Sequence, residues 1–223
     1  MKGITVKKAV NRTVICLMVD NQPNVLARVS SLIGRRSFNI GAITASETNI
    51  AGLTKITLVV SNNPNAYALE RAKKAGIGTA VVLKKELGSQ EAFETRLMAL
   101  LDQNQIDVII LAGFMTILTE RFTSHYPRRI LNVHPSLIPS FCGEGFYGLR
   151  VHEEALRYGV KVTGATVHFV NEIPDGGEII AQKAVCIEEG DTPEILQRRV
   201  MEQAEWILLP QAAEKVCAQL QKK

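Results

Sequence analysis

The stretch Leu131-Asn132-Val133-His134-Pro135-Ser136-Leu137-Ile138-Pro139-Ser140 decides how this chain is read. With Arg129 to Val133 as a strand, Asn132 and His134 lie two apart and leave the same face. Pro135 cannot extend a ladder, so the strand ends there with His134 at its rim. In open α/β sheets that rim is the usual edge for ligand chemistry. Further on, Asp175 stands in Ile173-Pro174-Asp175-Gly176-Gly177-Glu178 and adds a carboxylate. Each group has a chemical use. An Asn side chain donates to a developing oxyanion, a histidine carries a proton near neutral pH, and a carboxylate holds that proton or relays it. As bare patterns both are unspecific: N-x-H is common, and Asp before two glycines is by default a turn residue.

Working outward, Val108–Ala112 reads as a buried strand and Glu91–Asn104 before it as a helix. Thr79–Leu83 and Thr54–Val60 read as strands, with a helix over Ala66–Ala75 that Gly76 stops. This alternation from residue 54 onward predicts an α/β fold with a mostly parallel sheet. A final helix covers about Pro193–Gln221, with a break expected near Pro210. Upstream, Thr13–Val19 reads as a strand, Asp20–Asn24 as a turn, Val25–Ser37 as an amphipathic helix and Asn39–Ala45 as a strand. Nothing near residue 60 has linker composition, so one continuous structure is expected.

Composition narrows the function classes. The chain has 223 residues, 46% of them hydrophobic, enough for one large domain or a small one plus a medium one. The net charge of +4 is spread without a basic run. Weak attraction to anionic metabolites follows, and nucleic-acid binding does not. Cys16, Cys142, Cys186 and Cys217 are far apart, with no Cys/His ligand spacing. They read as reduced thiols of a cytoplasmic protein with no metal site. The apolar runs are too short for a bilayer, so no membrane partner is expected.

Several blocks recur in a recognisable order: Ser61-Asn62-Asn63-Pro64-Asn65-Ala66-Tyr67 with Ala72-Lys73-Lys74-Ala75-Gly76-Ile77, then Leu111-Ala112-Gly113-Phe114-Met115, then Ile130 to Ser140. Thr163-Gly164-Ala165-Thr166-Val167-His168-Phe169-Val170, the Asp175 loop and Glu189-Gly190-Asp191-Thr192 follow. Over about residues 60–216 the chain resembles the phosphoribosylglycinamide formyltransferase family. The resemblance implies a Rossmann-like sheet and transfer of a formyl group from 10-formyltetrahydrofolate to glycinamide ribonucleotide in de novo purine synthesis. It implies that Asn132 binds the tetrahedral oxyanion, His134 stabilises it as a cation, and Asp175 supports the histidine and helps move a proton. It places the folate cosubstrate against Met115, Thr116, Ile117, Leu118 and Asn132. Many members carry Arg where Thr116 and Gln90 stand, so charge contacts to the folate are missing here. His168 is implied as support near the site, although a histidine on an apolar strand is commonly a hydrogen-bonded core residue. Glu205, counted back from Pro210, aligns with a carboxylate that contacts the substrate amine; its plain alternative is a solvated helix face. Ile117 and Leu118 have core packing as theirs. The segment Phe141 to His152 resembles the longer loop of one subgroup, and its three glycines suit a mobile lid.

The first 60 residues depart from that pattern. Asn21-Gln22-Pro23-Asn24-Val25-Leu26-Ala27-Arg28-Val29 and Gly34-Arg35-Arg36-Ser37-Phe38-Asn39-Ile40 resemble the ACT domain of acetolactate synthase regulatory subunits. The expectation is an ACT-like βαββ segment over 1–60 that replaces the first strand–loop–helix of a formyltransferase domain over 61–223. Its antiparallel hairpin would lie at the sheet edge, and a homodimer would form through it. The family's glycine-rich phosphate loop is absent: Asp20-Asn21-Gln22-Pro23-Asn24 has no glycine, and Asp20 adds a negative charge. Weakened binding of the ribose phosphate follows. Two alternatives accompany this reading. One is formyltetrahydrofolate deformylase, which combines an ACT domain with the same Asn, His and Asp. The other is a non-catalytic amino-acid-sensing ACT module.

Overall fold

Val108–Ala112 is a strand buried along its whole length, as an aliphatic run covered on both faces must be. The computed structural model describes residues 14–19 and 55–220. Within them β1 (Val14–Val19), β2 (Lys55–Ser61), β3 (Gly78–Val81), β4 (Val108–Ala112), β5 (Ile130–His134), β6 (Val162–Phe169) and β7 (Ile179–Cys186) form one sheet. Its order is β3-β2-β1-β4-β5-β6-β7. The pairings from β3 across to β5 are parallel, and those of β6 with β5 and β7 are antiparallel. The expected mostly parallel α/β sheet is present, closed on one side by an antiparallel pair.

Period-two alternation sorts the core onto two faces. From β4, Val108, Ile110 and Ala112 enter one cluster, and Ile109 and Leu111 the other. The first face is covered by α1 (Tyr67–Lys74), α6 (Pro193–Val200) and α7 (Trp206–Leu220), through Leu69, Leu196, Val200 and Leu209. The second is covered by α3 (Gln90–Gln103) and α4 (Glu120–His125), through Phe93, Leu97, Leu101 and Phe122. Two further helices, α2 (Lys84–Leu87) and α5 (Arg150–Tyr158), lie on the connections. A register shift opposite Ile15 and Cys16 bulges β2 at Thr57. It explains why Ile56 and Val59 share one face while Leu58 and Val60 share the other.

Two expectations change. The final helix breaks a turn before Pro210: Met201–Glu205 is a π-turn, and Pro210 lies inside α7. Proline cannot donate to the carbonyl four residues back, here that of Trp206, and its ring crowds that carbonyl. The wider turn ends at Glu205, just ahead of the crowded position. The second concerns Thr54–Val60, which the sequence leaves open as the second strand of a formyltransferase sheet or as the third strand of a βαββ unit. In that unit it would pair antiparallel with the strand before it, Asn39–Ala45. Observed β2 instead has parallel partners on both sides, β1 and β3, which is the geometry of a crossover-connected α/β sheet. The turn Asp20–Asn24, the helix Val25–Ser37 and the strand Asn39–Ala45 lie outside the described residues. No helix among the described residues is long and apolar enough to cross a membrane.

Candidate active site

Asn132 and His134 leave β5 on the face of Ile130, the one covered by α3 and α4. Both stand near the carboxyl ends of the parallel strands, where open α/β sheets bind ligands. β6 runs antiparallel alongside and sets His168 directly opposite Asn132. After β6 the chain turns back through Asp175 at φ 55, a left-handed conformation that Asp tolerates. Gly177 has a steric reason to be glycine, because a Cβ there would overlap the Phe169 carbonyl.

These elements bring the amide, the imidazoles and the carboxylate into contact. Asp175 Oδ2 lies 3.3 Å from His134 Nδ1, and Asp175 Oδ1 lies 3.5 Å from His168 Nε2. The backbone N–H of Gly143 donates to Asp175 Oδ2 at 2.9 Å. Burial raises the Asp175 pKa. The His168 hydrogen bond, the His134 charge and the Gly143 N–H outweigh it and hold the carboxyl below its ordinary range. His134 Nε2 faces the Phe141 carbonyl at 2.8 Å. Its two ring nitrogens therefore face a carboxylate and a carbonyl, acceptors that a doubly protonated imidazole satisfies. His168 Nδ1 faces the Phe169 carbonyl at 2.8 Å, which assigns a proton to Nδ1. Nε2 lies between Asn132 Nδ2, 3.3 Å away, and Asp175 Oδ1, so it accepts from Asn132 when bare and donates to Asp175 when protonated.

A cavity of about 480 Å³ opens over this group. One wall is Gly113 to Leu118; the other comes from the glycine-rich segment Gly143 to Gly148 and from Ile173 and Pro174. Met115, Thr116, Ile117, Leu118, Asn132, His134, His168 and Asp175 all line it. Ile117 is 62% exposed, so core packing does not explain it, whereas Leu118 at 4% is a core residue as well as a wall residue. His168 is both a buried core histidine and a lining group. Gly143, Gly145 and Gly148 all have positive φ, so the segment turns where side chains are disfavoured.

Glu205 is placed elsewhere. It closes the π-turn, is 1% exposed and belongs to a helix on the opposite face, outside the cavity lining. It is not a solvated helix residue. His152 is buried in the first turn of α5. Among the described residues no group of three or more His, Cys, Asp and Glu is placed to hold a metal. Sequence reasoning missed the backbone contacts of Phe141 and Gly143, which no residue pattern encodes. It also missed Glu94, whose signal was present: it shares the helical stripe of Leu97 and Leu101, where a carboxylate has no ordinary place.

Comparison with known proteins covers the same part of the chain. The formyl transferase family model matches residues 27–212, starting inside the segment expected to be ACT-like. The trifunctional purine biosynthetic protein adenosine-3 of Bos taurus is 41% identical over 192 residues, covering 86% of this chain and 18% of its own length. The phosphoribosylglycinamide formyltransferase of Escherichia coli is 40% identical over 174 residues, covering 77% of this chain and 79% of its own. The chain thus spans less than a fifth of the trifunctional relative and most of the bacterial one. Among solved structures, glycinamide ribonucleotide transformylase 1 from Symbiobacterium toebii superposes with a TM-score of 0.77 at 32% identity, covering 98% of this chain and 92% of that one. Phosphoribosylglycinamide formyltransferase from Brucella melitensis gives 0.76 at 36%, covering 93% and 97%.

Proposed function

The chain belongs to the formyl transferase family, and from that premise we propose that it transfers a formyl group from 10-formyltetrahydrofolate to the amine of glycinamide ribonucleotide. The observation that carries this reading is the convergence of Asn132, His134 and Asp175 at the floor of a cavity with an apolar wall. The folate cosubstrate lies along Met115, Thr116, Ile117 and Leu118, and its formyl carbon meets Asn132 and His134.

The amine attacks the formyl carbon and leaves a tetrahedral oxyanion. Asn132 Nδ2 has two N–H groups; one faces His168 and the other is available to the oxyanion. His134 Nε2–H reaches the oxyanion by exchanging the Phe141 carbonyl for it. Asp175, held ionised, keeps the imidazole oriented and offsets its charge. The proton lost by the attacking amine passes through this pair to the folate nitrogen as the carbon–nitrogen bond to the donor breaks. His168 supports the site through Nε2, which faces both Asn132 and Asp175, whereas Glu205, buried outside the cavity lining, takes no part in this reading. We assign the reaction to the cytoplasm, as the reading of the four cysteines as reduced thiols implies.

The test is turnover of 10-formyltetrahydrofolate with and without glycinamide ribonucleotide, in the unaltered chain and in His134→Ala. Nucleotide-dependent release of tetrahydrofolate that disappears in the variant supports the transferase. Release that needs no nucleotide supports a deformylase, which uses the same three side chains with water as acceptor. An amino-acid-sensing role for residues 1–60, with a homodimer formed through them, is the regulatory reading. The parallel partners on both sides of β2 count against the βαββ order it requires.

A further inference from the structure

Glu94 is a carboxylate inside the fold. It is 1% exposed on α3, and three donors converge on its two oxygens. Thr119 gives its backbone N–H at 2.8 Å and its hydroxyl at 2.5 Å. Gln90 gives its side-chain amide at 2.7 Å, and the same amide nitrogen lies 3.1 Å from the Ile117 carbonyl. Glu94 lies outside the lining of the cavity, so none of this is contact with a ligand.

What the cluster grips is the cavity wall. The segment 113–118 leaves β4 at Gly113, φ 67, and reaches α4 at Thr119. Its first end is fixed by the sheet; its second is fixed by Glu94, and Gln90 ties down Ile117 one step inside. Ile117 projects an exposed side chain onto the cavity edge, so its backbone is held while its surface stays free for contact.

Thr119 shows that this grip has a cost. It stands at the N-cap of α4, where a threonine hydroxyl normally accepts from a backbone N–H of the first turn. Here the hydroxyl makes no such cap and donates to Glu94 instead. The Thr119 carbonyl still accepts from Phe122 and Thr123, so the helix begins normally while the side chain serves another purpose.

We propose that Glu94, working through Thr119 and Gln90, is the positioning residue that sets the formyl-donor wall Met115 to Leu118 against the catalytic floor. This rests on the folate reading of the cavity. A carboxylate suits the site because all three partners donate to it; a glutamine in its place would turn an N–H₂ toward the Thr119 hydroxyl, which would then have to accept and give up its bond as donor.

The experiment measures binding of tetrahydrofolate by calorimetry, with steady-state kinetics and thermal melting, in the full chain and in Glu94→Gln, Thr119→Val, Thr119→Ser and Gln90→Ala. Loss of the latch is expected to raise the tetrahydrofolate Kd and the donor KM about tenfold or more in Glu94→Gln and Thr119→Val, while kcat changes by less than about threefold. Thr119→Ser keeps the hydroxyl and is expected to restore binding. Unchanged Kd and KM with a lowered melting temperature would overturn the proposal and leave Glu94 a structural residue. Should Glu94→Gln and Thr119→Val fail to fold, the half-buried Gln90→Ala decides: a raised Kd supports the latch, an unchanged one overturns it. Absence of tetrahydrofolate binding in the unaltered chain would overturn the folate reading itself, and the latch with it.

Discussion

Asp175→Asn changes one atom and removes the charge that two imidazoles face. The replaced carboxylate lies 3.3 Å from His134 and 3.5 Å from His168. At an effective dielectric of about 20, a full charge pair at that separation is worth about 5 kcal/mol before burial is counted. Burial opposes it, so the net loss is closer to that of a hydrogen bond to a charged group, about 1.5–3 kcal/mol. The amide keeps the carboxylate's shape and one acceptor for the Gly143 N–H, so the loop holds and the wall at Met115 to Leu118 is undisturbed. The expected result is a kcat lowered about 10- to 150-fold with the donor KM changed only a few-fold. Melting against pH supplies an independent readout. The Asp175 pKa is lowered by folding, so its stabilising contribution is complete above the unfolded value of about 3.9 and disappears as pH falls through the lower folded value. The difference in stability between the unaltered chain and Asp175→Asn is therefore expected to shrink as pH falls below about 4. A kcat within tenfold of the unaltered chain, or a stability gap that does not shrink below about pH 4, would refute the reasoning.

Two other substitutions probe the frame that carries the site. Gly164→Ala in β6 places a Cβ into the Lys183 carbonyl of β7 and 2.9 Å from Leu137 Cδ2. Backbone cannot yield as a side chain does, so a loss of about 3 kcal/mol is expected by denaturant unfolding, with reduced activity because Leu137 belongs to the turn after His134; unchanged stability would mean the strands are further apart. Ser89→Ala removes the α3 cap, in which the hydroxyl accepts from Ala92 N–H at 3.0 Å, and is expected to cost about 1 kcal/mol, lowering the melting temperature by about 2–4 °C; a drop larger than 10 °C would show that Ser89 also supports the Glu94 cluster.

The residues that meet at the candidate site were legible because they lie in local sequence. Asn132, His134 and Pro135 define a strand, a face and an end within four residues, and the Asp-Gly-Gly turn marks the return loop. Which loops meet there was not legible. His134 and Asp175 are far apart in sequence, and Gly143 reaches Asp175 through a backbone N–H that any residue offers. The antiparallel direction of β6 also escaped, because the strand is buried along almost its whole length, as a strand of a parallel sheet would be. The π-turn at Met201–Glu205 escaped for the opposite reason: Pro210 was the visible breaker, but the strain it creates is relieved one turn earlier. Thr54–Val60 was ambiguous on its own, since a strand's sequence does not state the direction of its neighbours. Only the ladders to β1 and β3 decide it.

If the proposed reaction holds, the two polar contacts of His134 decide which part of the site gives way to a reacting oxygen. On one side the ring meets Asp175, which Gly143 N–H and His168 also hold and which sits 12% exposed. On the other it meets the Phe141 carbonyl, carried by a residue at φ 49 on a segment that continues through three glycines of positive φ. A neutral carbonyl is the weaker acceptor of the two, and an oxyanion is stronger than it by the added charge. In the reaction proposed above the exchange therefore runs in one direction: as negative charge grows on the former formyl oxygen, Nε2–H would leave Phe141 and the Asp175 contact would stay. On that proposal Asp175 keeps the imidazole oriented, and the loop supplies an acceptor that holds only until the transition state competes for the same proton.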